Sequence, residues 1–317
     1  MFDIPDISIV VPVYGSDGTL EPLYKRVAAT MKQIPASFEL IFVDDCGPGN
    51  PWEIIINLAQ RDSRVIGLKM SRNFGQHIAI TAGIDLARGR WLVIMDCDLQ
   101  DCPEEISRLW TKAQEGHDVV IGRRVKRQDG FLKRMSSRLF HWFFGLITNH
   151  KSDPAQASFG IYSRKVVDTV KTLFEYPSIF SFLVRWAGFE VATIDIMHNK
   201  RADGKSSYTF SRKLSLAIDI IVFYSQKPLK LFIHFWFLIA FIIFCSGVWL
   251  YLRNYLFNYT SAGWTSILIS LFFLSGVLLF VMSILEIYMC KVFNQVKDSP
   301  IYVVKDRTQV TTNNNFL

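Results

Sequence analysis

Short apolar runs alternate with amphipathic stretches along the first part of the chain. Ile7 to Val13 reads as a strand ending at Pro12-Val13-Tyr14-Gly15, followed by helical spacing from about Leu20 to Gln33. A second run, Phe38 to Val43, leads to a helix from Pro51 to Asp62 opened by proline and glycine turn residues, then to a strand from Arg64 to Lys69. Gln76 to Ala87 reads as a helix closed by Gly89, Trp91 to Met95 as the central strand, Pro103 to Glu115 as a helix and Val119 to Gly122 as a strand. Parallel strands covered on both faces appear as near-continuous apolar runs of this kind. Their alternation with helices predicts an α/β domain with a doubly wound, mostly parallel sheet.

Two of these strands end in acids. Leu40-Ile41-Phe42-Val43 runs into Asp44-Asp45, and Trp91 to Met95 runs into Asp96-Cys97-Asp98-Leu99-Gln100-Asp101. Open α/β sheets bind ligands at the carboxyl ends of their strands, where these acids fall. A hard divalent ion commonly joins one or two carboxylates to substrate phosphates, a role that suits Asp96 and Asp98. Acids at strand ends also cap following helices, but two clusters in one domain exceed what capping needs. Neither a GxGxxG signature nor a Walker A loop is present, which disfavours a hydride-transfer enzyme or a P-loop ATPase.

The last third has a different pattern. Leu231 to Leu252 carries no Asp, Glu, Lys or Arg. As a helix at about 1.5 Å per residue it would be roughly 33 Å long, enough to cross a hydrocarbon core of about 30 Å. Asn254 to Leu285 is again uncharged, and Ser266 to Leu285 is apolar enough for a second crossing. Lys227 and Lys230 precede the first stretch, Lys291 and Lys297 follow the second, and the connection carries only Arg253. The positive-inside rule then places the N-terminal domain and both ends in the cytoplasm of a multi-pass protein of the inner (plasma) membrane. The expected map is an α/β domain over 1–209, an amphipathic helix over 210–228, a two-helix transmembrane hairpin over 229–290 and a cytoplasmic tail over 291–317.

Composition changes this picture little. The formal charge of +7 over 317 residues, with a pI near 9.1, favours anionic partners such as nucleotides, phosphate headgroups or a membrane surface. Nucleic acid is not expected, because the basic residues are not interleaved with base-stacking aromatics. The mean hydropathy of +0.22 is high, and its excess lies in the last third. Met1 leads through Asp3 and Asp6 straight into a strand, so no signal peptide is expected. Cys46, Cys97, Cys102, Cys245 and Cys290 show no metal-ligand spacing, and reduced thiols are expected.

The ordered motifs carry a resemblance. Ile9 to Tyr14, Val43-Asp44-Asp45, Ser71-Arg72-Asn73-Phe74-Gly75-Gln76 and Asp96 to Asp101 resemble the family 2 glycosyltransferases with a GT-A fold. Gly122-Arg123-Arg124, Phe159 to Arg164, Gly204 to Tyr208, Gln226 to Leu229 and Val296 to Tyr302 extend the likeness to the polyprenyl-phosphate glycosyltransferase group, which includes the bactoprenol glucosyltransferases and dolichol-phosphate mannose synthase. The resemblance implies inverting transfer from a nucleotide-diphosphate sugar, UDP-linked, to a membrane polyprenyl phosphate. The product would be a lipid-linked monosaccharide for cell-envelope glycans such as lipopolysaccharide O-antigen. It further implies that Pro12 and Tyr14 line the nucleotide pocket and that Asp45 bonds the base with support from Asp44. Asp96 and Asp98 would hold Mg²⁺ or Mn²⁺, Asp98 more directly, with Gln100 at the donor sugar or acceptor. Homo-oligomerisation is left open.

The acceptor side is read from charge. Arg123, Arg124, Lys126 and Arg127 precede an aromatic-rich stretch near 131–148 that also carries Lys133, Arg134 and Arg138. That stretch and Phe210 to Tyr224 suit helices lying in a lipid interface, though two helices packed on the sheet would show similar spacing. Arg124, Arg127, Arg201 and Lys205 are the candidates for holding a lipid phosphate. Many relatives read Gly-Asp-Phe-Arg-Leu where this chain has Ala157-Ser158-Phe159-Gly160-Ile161. Ser158 therefore stands where an acidic base is often proposed, and Asp153 is either its substitute or a loop cap before Pro154. A phosphate monoester with a second pKa near 6 is mostly ionised at pH 7, so it needs positioning more than deprotonation. Two other readings remain: a processive polysaccharide synthase and a non-catalytic scaffold on a degenerate transferase. The first is disfavoured because Phe182-Leu183-Val184-Arg185-Trp186 lacks the glutamine of Gln-x-x-Arg-Trp, the second because Asp45, Asp96 and Asp98 are intact.

Overall fold

The structure, a computed structural model, describes residues 4–124, 156–172, 180–197, 264–296 and 300–308, with single positions at 238, 242, 245, 249 and 256. The expected interfacial helices over 131–148 and 210–228, most of the first expected span, and Arg127, Asp153, Arg201 and Lys205 lie outside these residues. So do the side chains of Arg124 and Ser158.

Strands β1 (Ile7–Val13), β2 (Phe38–Asp44), β3 (Val65–Met70) and β4 (Trp91–Ile94) alternate with helices α1 (Asp17–Met31), α2 (Pro51–Arg61) and α3 (Gln76–Leu86). A short 3₁₀ turn at Pro103–Glu105 opens α4 (Ile106–Gln114), which leads to β5 (Val119–Arg124). Then come β6 (Gln156–Ser163), α5 (Arg164–Lys171), α6 (Phe180–Trp186), β7 (Ala192–Ile196), α7 (Trp264–Val296) and β8 (Val304–Arg307). Every residue of β1 and β2 is buried, which is why both read as unbroken apolar runs. Helix α1 begins at Asp17, earlier than the expected Leu20, because an acid in the first turn complements the helix dipole.

The described strands form one sheet in the order β7-β5-β6-β4-β1-β2-β3-β8. β4, β1, β2 and β3 are mutually parallel. β6 runs antiparallel between β4 and β5, and β8 antiparallel along β3. The sheet is therefore mostly parallel, as expected, with two reversed strands that the sequence pattern did not predict. Its core joins Ile9, Val11, Leu20, Leu23, Phe42, Ile55, Val93, Met95 and Phe159. The order reverses beside β1, since β2 and β3 lie on one side of it and β4 on the other; such a switch point opens a crevice at the carboxyl ends.

The described residues fall into two compact units, one holding the sheet and its helices, the other α7. Helix α7 is 33 residues long, and large side chains along it, Ile267, Leu271, Leu278, Leu285 and Phe293 among them, are exposed. Several of its side chains are not described, and over the described residues no helix is long and apolar enough to cross a membrane. The two expected spans are taken up as a proposal below.

Candidate active site

The crevice begins at a proline. β1 pairs with β4 only as far as Val10↔Ile94, with Met95 N–H donating to the Val10 carbonyl at 3.2 Å. In a parallel ladder the next donor on that side of β1 would be the N–H of Pro12, which proline lacks. β4 leaves β1 there, while Pro12 stays paired with Val43 on the other side. The chain past β1 then carries Tyr14, 45% exposed, and the chain past β4 carries Asp96 and Asp98.

Three consecutive residues tie the two acidic clusters together. The N–H groups of Phe74 and Gly75 donate to the two carboxylate oxygens of Asp45 at 2.7 and 2.8 Å. The next residue, Gln76, donates from Nε2 to Asp96 Oδ1 at 2.7 Å. Asp45 is buried, so these charge-assisted bonds are each worth about 1.5–3 kcal/mol. Gly75 takes φ 99°, a conformation that glycine adopts without steric cost, as it caps α3. Asp44, also buried, accepts from the Cys46 N–H at 3.1 Å. Burial pushes its carboxyl above the usual range, against the pull of Lys69 on β3.

Backbone strain marks the same two places. Among the described residues the non-glycine positions with positive φ are Cys46 (52°) and Leu99 (60°). Each follows a site aspartate directly, and each costs about 1–3 kcal/mol that the surroundings must offset. The Leu99 twist lets Asp98 Oδ1 accept the Gln100 N–H at 3.1 Å. Gly47 lets the loop after β2 lie against the loop after β1, because a Cβ there would sit 2.2 Å from the Gly15 nitrogen.

The structure thus brings Pro12, Tyr14, Asp44, Asp45, Asp96, Asp98 and Gln100 to the carboxyl ends of the central strands. Of the acceptor candidates only the Arg124 backbone is described, as the end of β5 paired with Ile196. Its neighbour Arg123 pairs with Asp195 at 2.7 Å. The role of Gln76 and the two backbone donors before it was not read from the sequence. Burial pushes the Cys46, Cys97 and Cys102 thiols above the usual range. Burial pulls His77, beside Gln76, down to about 4, so it is neutral at pH 7.

No group of three or more His, Cys, Asp or Glu among the described residues is placed to hold a metal ion alone. Two half-buried carboxylates fit an ion that completes its shell with phosphate oxygens and water. At Gly160 a Cβ would lie 2.9 Å from the Val120 carbonyl and 3.1 Å from the Tyr162 hydroxyl, so the position admits no side chain without a shift. A cavity of about 390 Å³ lies at the other end of the strands. Its Arg64 and Arg88 are already paired with Asp62 and Glu39, at 2.7 and 2.9 Å, so it offers no comparable chemistry.

A doubly wound sheet with acids and a bridging loop at its switch point is the arrangement of a ligand-binding α/β protein. Residues 8–185 match the profile of Glycosyl transferase family 2, more than half of the chain, and the protein belongs to that family and is a glycosyltransferase. It is 33% identical over 304 residues to the uncharacterized glycosyltransferase YkcC of Bacillus subtilis, covering 94% of this chain and 93% of the relative. It is 32% identical over 301 residues to the SfII prophage-derived bactoprenol glucosyl transferase of Shigella flexneri, covering 94% and 97%. It is 29% identical over 305 residues to the undecaprenyl-phosphate 4-deoxy-4-formamido-L-arabinose transferase of Photorhabdus laumondii, covering 95% and 94%.

Proposed function

We propose that the protein transfers a glycosyl group, with inversion, from a uridine-diphosphate sugar to the phosphate of a membrane polyprenyl phosphate. The observation that carries the acceptor is the extent of the likeness. Relatives named for bactoprenol and undecaprenyl phosphate match 94–95% of the chain, too much to leave out the apolar α7. The donor reading rests on the Asp45 and Asp96 clusters joined at the switch point. Asp96 and Asp98 would hold Mg²⁺ or Mn²⁺, which neutralises charge developing on the leaving diphosphate. Asp45 and Tyr14 would face the nucleotide, and Gln100 the sugar or acceptor. Arg124, Arg127, Arg201 and Lys205 would hold the lipid phosphate, whose own ionisation near pH 6 makes a strong base at Asp153 unnecessary.

The membrane reading is compatible with the chain's path. β8 joins the same sheet as β1–β7 although 208–299 intervene. A segment whose two ends belong to one sheet crosses a bilayer an even number of times or not at all. Two crossings over 229–290, with the sheet in the cytoplasm, satisfy that condition. The test is to incubate membranes holding the protein with a panel of radiolabelled nucleotide sugars and extract the lipids. A short lipid-linked monosaccharide is expected; a polymer would indicate a processive synthase, and no product with any donor would overturn the transferase proposal.

A further inference from the structure

The segment that returns to the sheet after 208–299 reaches both elements flanking the bridging loop. The Val303 carbonyl accepts the Ser71 N–H at 2.9 Å, at the first residue of the loop between β3 and α3. The Tyr302 hydroxyl donates to Asp85 Oδ2 on α3 at 2.8 Å. Asp85 also faces Lys171 of α5 at 3.6 Å. Beyond Val303, β8 pairs with β3 through Met70↔Val304, Lys69↔Asp306 and Leu68↔Arg307, with a register shift at Lys69/Met70. That irregularity leaves Lys305 as an extra residue on β8 where β3 gives way to the loop, a place where bulges commonly re-aim a strand. Thr308 closes the pairing, its hydroxyl accepting the Gly67 N–H at 2.8 Å.

We propose that Tyr302 and Val303 are positioning residues for the donor site, clasping β3 and α3 so that Phe74, Gly75 and Gln76 stay aimed at Asp45 and Asp96. The inference rests on the reading of that crevice as the donor site. Its physical content is the conformational entropy lost when the five-residue loop 71–75 is held in one backbone conformation. Asp45 and Asp96 grip the end of that loop and the start of α3. The Val303 carbonyl grips the loop's beginning, and Tyr302 fixes α3 near its far end. Because Tyr302 follows the apolar α7 closely in sequence, the same contacts would connect the anchored part of the chain to the nucleotide pocket.

The test is amide hydrogen exchange on the full chain without ligand, comparing wild type with Tyr302→Phe, Asp85→Ala and Asp85→Asn. Losing one such hydrogen bond should speed exchange across 71–76 by about three- to tenfold in Tyr302→Phe and Asp85→Ala. Asp85→Asn keeps an acceptor for the hydroxyl and should stay near the wild-type rate. Peptides from β1 and β2 should not change in any variant. Unchanged exchange at 71–76, or an equal rise in every peptide, would overturn the positioning role. As a second readout, the KM for UDP-glucose should rise severalfold in Tyr302→Phe while the KM for undecaprenyl phosphate stays the same. Should wild type bind no uridine nucleotide, the donor reading fails, while the exchange result still decides the role of Tyr302.

Discussion

β1 to β4 and the reversed strands β6 and β8 share a sheet but reach it by different routes. The first four strands arrive in sequence with a helix after each of β1, β2 and β3, and their parallel ladders join near neighbours in the chain. β6 inserts between β4 and β5, and β8 closes on β3 through a bond between Gly67 and Thr308, 241 residues apart. The acids sit on the first group. What surrounds the crevice and fixes its loop comes partly from the second. Chemistry in this molecule is placed by local βαβ units, and its rigidity is completed by segments that return from far along the chain.

That comparison can be broken at several points. The largest effect is expected from Asp98→Asn, which should lower lipid-linked sugar formation about a thousandfold, with Asp96→Asn severely impaired and the fold intact by circular dichroism. Wild-type activity retained in EDTA, or a fully active Asp98→Asn protein, would contradict a metal role for the acids. Gly160→Arg tests the inserted strand β6: overpacking and a buried charge should cost about 3 kcal/mol or more in denaturant unfolding. A smaller penalty would mean that β6 yields more readily than its packing implies.

His77 tests the local half. Its folded pKa of about 4 lies below the usual 6.5. Between those values the unfolded chain binds a proton that the folded chain does not, so stability falls as pH drops through that window and levels off below it. His77→Gln should flatten the decline by on the order of 1–3 kcal/mol between pH 7 and pH 4. An unchanged slope would place the titration elsewhere. The smallest effect is expected at the exposed Arg61–Glu21 pair, 2.6 Å apart on α2 and α1. Arg61→Ala should leave the denaturant midpoint at its wild-type value, because a solvent-exposed ion pair is screened and contributes little.

The two routes also explain what the sequence revealed. β1 to β5 were legible because burial on both faces leaves apolar runs, and the acids stood out because they end those runs. β6 was read as a motif rather than a strand, since Ser158 and Gly160 interrupt its apolar pattern. β8 is Val-Lys-Asp-Arg, mostly exposed along a sheet edge, and carries no hydrophobic signature. The bridge was hidden for a different reason. Ser71 to Gln76 stands out as a motif, but its role does not, since Phe74 and Gly75 contribute only backbone N–H groups, which every residue but proline possesses. The strain at Cys46 and Leu99 likewise has no mark in composition.

The central claim is that Asp45 and Asp96 form one donor site because residues 74–76 join them. A double-mutant cycle of Asp45→Asn and Gln76→Ala, read as donor KM with whichever nucleotide sugar labels the lipid fraction, tests it most directly. Coupled groups give interaction energies of about 0.5–3 kcal/mol, and the account predicts a value above about 1 kcal/mol, each single variant already having released the loop. Effects that add within about 0.3–0.5 kcal/mol would show two independent clusters and contradict it.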